Sequence, residues 1–227
     1  MKKRIILFIG IFVIVLGLQA QQSDTQNLPV KMGELTAPQF AEAVEKSNGT
    51  CVIPMGVLEK HGPHLPLASD VIQAREIAKR AASEEYTLVY PHFYFGQIFE
   101  ARHQPGTMAY SNELIWNLLE ETCRELARNG VKKIILVNGH GGNNSFLPYF
   151  CQSQLASQKD YAVVLFQPET PEETQEKINK MMESEQDMHA GETETSAIYA
   201  IRPDLVHTDA ADDESGEDQK RLTDMPF

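Results

Sequence analysis

Lys133-Ile134-Ile135-Leu136-Val137-Asn138-Gly139-His140-Gly141-Gly142-Asn143 decides how this chain is read. Four successive branched apolar residues, with no polar alternation, describe a strand covered on both faces, as in a parallel sheet. The strand ends at Asn138, and a histidine set among glycines follows. Gly139 and Gly141 are expected to supply positive φ and close backbone approach around His140.

Working upstream, Cys51-Val52-Ile53-Pro54-Met55 is a second short apolar run, and it leads into Glu59-Lys60-His61-Gly62-Pro63-His64. Thr87 to Tyr90 and Tyr161 to Phe166 are further strand-like runs. Between them lie helical patterns: Pro38 to Lys46, and Asp70 to Glu85, where Ile72, Ala74, Ile77, Ala78 and Ala81 recur near a period of 3.6. A third helix is capped by Ser111 and stopped by Asn129-Gly130. Ser145 to Ser157, Pro171 to Ser184 and Thr193 to Ile201 complete the set. Strands alternating with helices imply an α/β fold, three layers α/β/α around a mostly parallel central sheet. The irregular stretch from Pro91 to Tyr110 is long for a connection, which marks it as a functional loop.

The 227 residues divide into three parts on composition. Lys2-Lys3-Arg4, an apolar run from Ile5 to Leu18 and a small residue at Ala20 have the form of a secretory signal peptide over residues 1–20. The apolar run is shorter than the ~20 residues of a spanning helix, so export to a periplasm or outside the cell is expected, with no stable membrane insertion afterwards. Residues 21–208 are one domain, and residues 209–227 an acidic tail with too little apolar surface to order. The formal charge is −12, and without the leader 17 basic residues face 32 acidic ones. Nucleic acid is excluded as a partner on that balance, because phosphate recognition needs clustered Lys and Arg. Cys51, Cys123 and Cys151 form no C-x-x-C pair and read as buried small hydrophobes.

The chemistry sits at strand ends. Glu59 and His61, two apart, point the same way in an extended backbone. Asp70 opens the next helix, where a carboxylate suits the N-terminal dipole and is free to bridge two cations. His140 leaves the other strand end. A fifth ligand is expected from the Glu192-Thr193-Glu194 run after His189-Ala190-Gly191. Carboxylates with imidazoles and no thiolate favour zinc, with manganese or iron as alternatives. Six of the seven histidines lie within three residues of Gly or Pro in expected loops, a clustering that a shared site explains better than chance.

Four ordered motifs then carry a resemblance: Glu59-x-His61-Gly-Pro-His64-Leu-Pro with Asp70, His103-x-Pro-Gly-Thr107, Asn138-Gly-His-Gly-Gly-Asn143, and His189-Ala-Gly-Glu-x-Glu-Thr-Ser196. Over about residues 30 to 206 the chain resembles the creatininase (creatinine amidohydrolase) family. That resemblance implies the three-layer fold, a homo-oligomer and often a hexamer, and two divalent metal ions per subunit hydrolysing a small-molecule amide. Glu59, His61, Asp70 and His140 match family metal ligands, with Asp70 as the bridge. Creatininase proper carries a glutamate where this chain has Gly142, so Glu194 is expected to complete the metal set. It also closes its pocket with tryptophans near the His-Ala-Gly motif, and residues 183–191 contain none, which points away from creatinine itself.

The mechanism so implied places one metal on Glu59, Asp70 and His140 and the other on His61, Asp70 and Glu194. A metal-bridged hydroxide attacks a cyclic amide or formamide carbonyl. His189 passes a proton to the leaving nitrogen, with Glu192 as the alternative acid or base. His64 and His103 stand behind the ligands or face the substrate. The rivals are cleavage of a peptide, as in relatives that mature peptide cofactors, and an inactive protein that keeps only metal or ligand binding.

Overall fold

A computed structural model describes residues 28–184 and 187–212, so the expected leader and most of the acidic tail lie outside the described residues. The apolar runs form four strands: β1 (Thr50–Met55), β2 (Leu88–Val89), β3 (Lys133–Asn138) and β4 (Ala162–Phe166). All pair in parallel, in the order β2-β1-β3-β4. The helices are α1 (Ala37–Lys46), α2 (Ser69–Glu84), α3 (Asn112–Arg128), α4 (Phe146–Ser153), α5 (Glu172–Met181) and α6 (Glu192–Ile201).

Alternation along the inner strands sorts the core into two layers. Cys51, Ile53 and Met55 of β1, with Ile134 and Leu136 of β3, meet Ala43 of α1, Leu119, Cys123 and Leu126 of α3, and Leu147 and Phe150 of α4. Val52 and Val137 point the other way, onto Ala74, Ala78 and Ala82 of α2. The alanine face of α2 lets it lie close on the sheet, and α6 packs on α2 in turn. The three-layer α/β/α fold is the observed one. Cover on the α2 side does not extend over β4, where Val164 and Phe166 remain half exposed.

Local sequence accounts for most boundaries. The Ser111 side chain accepts the Leu114 N–H at the start of α3, and Gly130, at φ +98°, ends it. Two expectations fail at their edges. Ser145 to Ser157 is not one helix: a 3-10 turn at Gly141–Asn144 precedes α4, and another at Gln154–Ala156 follows it. Helix α5 stops at Met181 rather than Ser184, because the N–H groups of Glu183 and Ser184 are taken by the Glu192 carboxylate.

The cysteines are free thiols inside the fold. Burial pushes Cys51 and Cys123 up to about 12 and Cys151 to about 11, which removes thiolate chemistry at neutral pH. Trp116 packs edge-on against Phe146 and Phe150. Among the described residues no helix is long and apolar enough to cross a membrane.

Candidate metal centre

Strand register brings the two loops together. Met55 pairs with Asn138, so β1 and β3 end level and release their loops at the same edge of the sheet. Gly56 lets the first turn of α2 reach that edge, since a Cβ there would lie 2.7 Å from both Asp70 Cβ and Val71 N. The Glu59 loop is pinned from two sides. Glu59 N–H donates to Leu67 O at 3.0 Å, Met108 N–H to Leu58 O at 2.9 Å, and Lys60 N–H to Thr107 Oγ1 at 3.2 Å. Gly62, at φ +59°, makes the turn that follows. Neither Gly139 nor Gly141 adopts positive φ, contrary to the expectation from sequence. What Gly139 supplies is close approach alone.

The result is a buried cluster at the C-terminal edge of the sheet. Glu59, His61, Asp70 and His140 are between 0% and 6% exposed. Asp70 stands in the middle: Oδ1 is 3.1 Å from His61 Nε2, and Oδ2 is 2.9 Å from His140 Nδ1. The second approach lies off the line of a hydrogen bond, so Oδ2 is a buried carboxylate oxygen with no directed donor. Glu59 Oε1 is 3.0 Å from His140 Nδ1. Glu194, from the first turn of α6, brings a further carboxylate within reach of His61 and Asp70.

Three sets of ligand atoms lie mutually within 4.8 Å: Glu59, Asp70 and His140; His61, Asp70 and Glu194; and Glu59, His61 and His189. The first two share Asp70. The structure therefore collects candidate metal-ligand groups from β1's loop, α2, β3's loop and α6.

The electrostatics are those of buried carboxylates packed against two imidazoles. Burial opposes ionisation of Asp70, but the close imidazoles of His140 and His61 outweigh it and hold the carboxyl at about 2. Burial likewise disfavours the charged form of His140, yet Asp70 and Glu59 raise it to about 10. His61 is raised too: its burial is outweighed by Asp70 first, then by the Glu59 and Glu194 charges. Protons on two imidazoles thus neutralise the acidic groups here, and divalent cations would do so in their place.

The ring orientations fit that exchange. His140 Nε2 donates to the backbone carbonyl of Gln97 at 2.7 Å, leaving Nδ1 toward the carboxylates. His61 Nδ1 donates to the Glu59 carbonyl at 3.2 Å, leaving Nε2 toward Asp70. Each ring has one nitrogen anchored on a backbone oxygen and the other aimed into the cluster, the arrangement by which proteins orient metal-binding histidines. His189 donates through Nε2 to the Lys60 carbonyl at 2.7 Å, with its ring 4.5 Å from that of His61. Its side chain is half exposed, with Nε2 3.8 Å from Glu59 Oε2.

Glu192 does not join. Its carboxylate accepts the N–H groups of Glu183 and Ser184 and the Ser184 hydroxyl, and this backbone contact first of all lowers its pKa. It pins the start of α6 and belongs to none of the ligand sets found among the described residues. His64 lies behind the loop, 2.8 Å from Thr195 Oγ1, and His103 is on the surface. Sequence reasoning also missed Gln97, whose contribution is a backbone carbonyl, and gave no task to Asn138 and Asn143. Asn138 Oδ1 accepts the His140 N–H at 3.1 Å, and Asn143 Oδ1 accepts the Gln97 N–H at 3.1 Å.

Known proteins resemble this chain in sequence and in fold. Residues 33–226 match the creatininase family, described as creatinine amidohydrolase. The creatinine amidohydrolase of Pseudomonas putida is 29% identical over 194 residues, 79% of this chain and 75% of that protein. The mycofactocin precursor peptide peptidase of Mycolicibacterium smegmatis is 32% identical over 164 residues, 70% of this chain and 60% of that protein. A solved creatininase in a manganese form superposes with a TM-score of 0.71 at 27% identity, covering 87% of this chain and 82% of the other. Another solved creatininase, a mutant, is of a Zn-Zn type.

Proposed function

This chain belongs to the creatininase family, and from that premise we propose that it is a metal-dependent amidohydrolase cleaving the C–N bond of a small cyclic amide, a formamide or a related compound. The observation that carries the reading is the pair of three-residue ligand sets sharing Asp70. In this proposal Glu59, Asp70 and His140 hold one divalent ion, and His61, Asp70 and Glu194 the other. Two such ions lower the pKa of a shared water toward neutrality and polarise a carbonyl oxygen. Zinc is the first assignment and manganese the second, supported by the zinc and manganese forms of solved creatininases.

The chain's own groups do the rest. The Gln97 and Glu59 carbonyls fix the two ligand imidazoles. His189, tethered through Nε2–H to the Lys60 carbonyl, presents Nδ1 as the ring atom able to hold or release a proton. It stands beside Glu59 and His61, where a leaving nitrogen would need that proton. Export through residues 1–20 and assembly as a homo-oligomer, a hexamer included, belong to the same proposal, on the sequence and the family resemblance.

Metal analysis of the purified mature protein, with turnover of a panel of lactams and formamides, tests the proposal. Fewer than one metal per chain would overturn the two-ion site. A second reading, cleavage of a peptide bond, is favoured by the similarity to a mycofactocin precursor peptide peptidase and by the half-exposed His189 with no tryptophan near it in sequence. Short peptides in the same panel separate the two.

A further inference from the structure

The loop from Pro91 to Tyr110 meets the cluster at Gln97 through its main chain. Gln97 O takes the Nε2–H of His140 at 2.7 Å, while Gln97 N–H donates to Asn143 Oδ1 at 3.1 Å. Asn143 is wholly buried; its Nδ2 donates to Asn138 Oδ1 at 3.3 Å, the oxygen that also accepts the His140 N–H. A closed ring of bonds thus runs His140, Gln97, Asn143, Asn138 and back to His140. The space inside it is exhausted. A Cβ on Gly142 would stand on the Gln97 carbonyl oxygen and 2.5 Å from His140 Nε2, and a Cβ on Gly96 would lie 2.7 Å from Asn143 Oδ1.

We propose that Asn143 is a positioning residue for the metal ligand His140: by holding Gln97 N–H, it fixes the carbonyl that keeps the His140 proton on Nε2 and so commits Nδ1 to the metal. The geometry also explains why no carboxylate stands at position 142, since any side chain there would displace the Gln97 carbonyl. The acidic group of the second set comes instead from α6. The inference rests on the metal-centre reading and extends it to residues that touch neither metal nor substrate.

Titration of the full-length chain with Co2+, followed by visible absorption, tests it. Asn143→Leu keeps the size and removes both the acceptor for Gln97 N–H and the donor to Asn138 Oδ1. The binding step belonging to Glu59, Asp70 and His140 is expected to weaken by about 10- to 100-fold with a changed spectrum, while the step belonging to His61, Asp70 and Glu194 holds. Asn143→Asp, which retains an oxygen for Gln97 N–H, is expected to restore most of the loss. Should Asn143→Leu fail to fold, Gly142→Ala attacks the same carbonyl from the other side and is expected to alter the same step. A folded Asn143→Leu or Gly142→Ala variant with wild-type affinity and spectrum overturns the inference, as does equal weakening of both steps, which marks a general structural lesion. If the wild-type chain takes up no Co2+, the metal-centre reading itself falls and this inference with it.

Discussion

No side chain fits on Gly139, because the carbonyl oxygen of Asp70 lies 2.5 Å from where its Cβ would be. Ala74 Cβ is 2.9 Å from the same point. The first turn of α2 is therefore seated directly on the end of β3, and that contact sets the depth at which Asp70 enters the cluster. Gly139→Ala is expected to destabilise the protein by roughly 1–3 kcal/mol through overpacking and to lower metal content with it. Gly141→Ala, where a Cβ meets nothing within 4 Å, should leave stability within about 0.5 kcal/mol. Thermal unfolding of both variants checks the contrast.

Asp70 is common to the two proposed ligand sets and stands between the imidazoles of His61 and His140. Asp70→Asn keeps its shape and removes its charge. Affinity for both metals should fall together, on the order of 100-fold, as read by elemental analysis after dialysis. Retention of one full equivalent would show that the carboxylate is not shared.

Much of this arrangement is legible in the amino-acid sequence. The unbroken apolar run at Ile134 to Val137 and the two-residue spacing of Glu59 and His61 are local signals, and both survive folding because parallel strands leave a sheet at one edge. What stays hidden is what side-chain identity does not encode. Gln97 acts through a carbonyl, forty-three residues from the histidine it orients. Glu192 and Glu194 look alike in sequence, and tertiary contacts tell them apart: Glu183 and Ser184 hold Glu192, while Glu194 lies with His61 and Asp70. The exposed face of β4 is equally invisible, since Val164 and Phe166 carry the composition of a covered strand.

That difference between the two glutamates is measurable. Glu194→Gln should cost one of two metals, because its carboxylate belongs to the set with His61 and Asp70. Glu192→Gln should keep both metals and instead speed hydrogen exchange at the Glu183 and Ser184 amides, which the Glu192 carboxylate now holds. Equal metal loss in the two variants would contradict the separation.

His189 gives Nε2 to the Lys60 carbonyl, and that nitrogen lies 3.8 Å from Glu59 Oε2 at the edge of the cluster. His189→Asn should reduce kcat by about 10²- to 10⁴-fold with metal content unchanged, the mark of lost proton transfer. Loss of metal in step with rate would make it a third imidazole ligand instead.

Acid and base act oppositely on the metal-free and metal-loaded protein. In the metal-free chain His140 is raised from an ordinary value of 6.5 to about 10, so its pairing stabilises the fold fully below pH 6.5 and is lost as pH rises through about 10. Asp70 is lowered from 3.8 to about 2, so the same pair is intact above pH 3.8 and fails as pH falls through about 2. Stability of the metal-free chain should therefore plateau between about pH 3.8 and 6.5 and decline on both the acid and the alkaline side. Metal binding needs the same imidazole nitrogens without their protons, so affinity should rise with pH over the alkaline range in which that stability falls. Loading near pH 7 should release about one to two protons per chain, from His140 and from His61, which is raised as well. Calorimetry in two buffers of different ionisation heat measures the number directly. Binding without proton release would mean that neither imidazole gives up its proton to the metal.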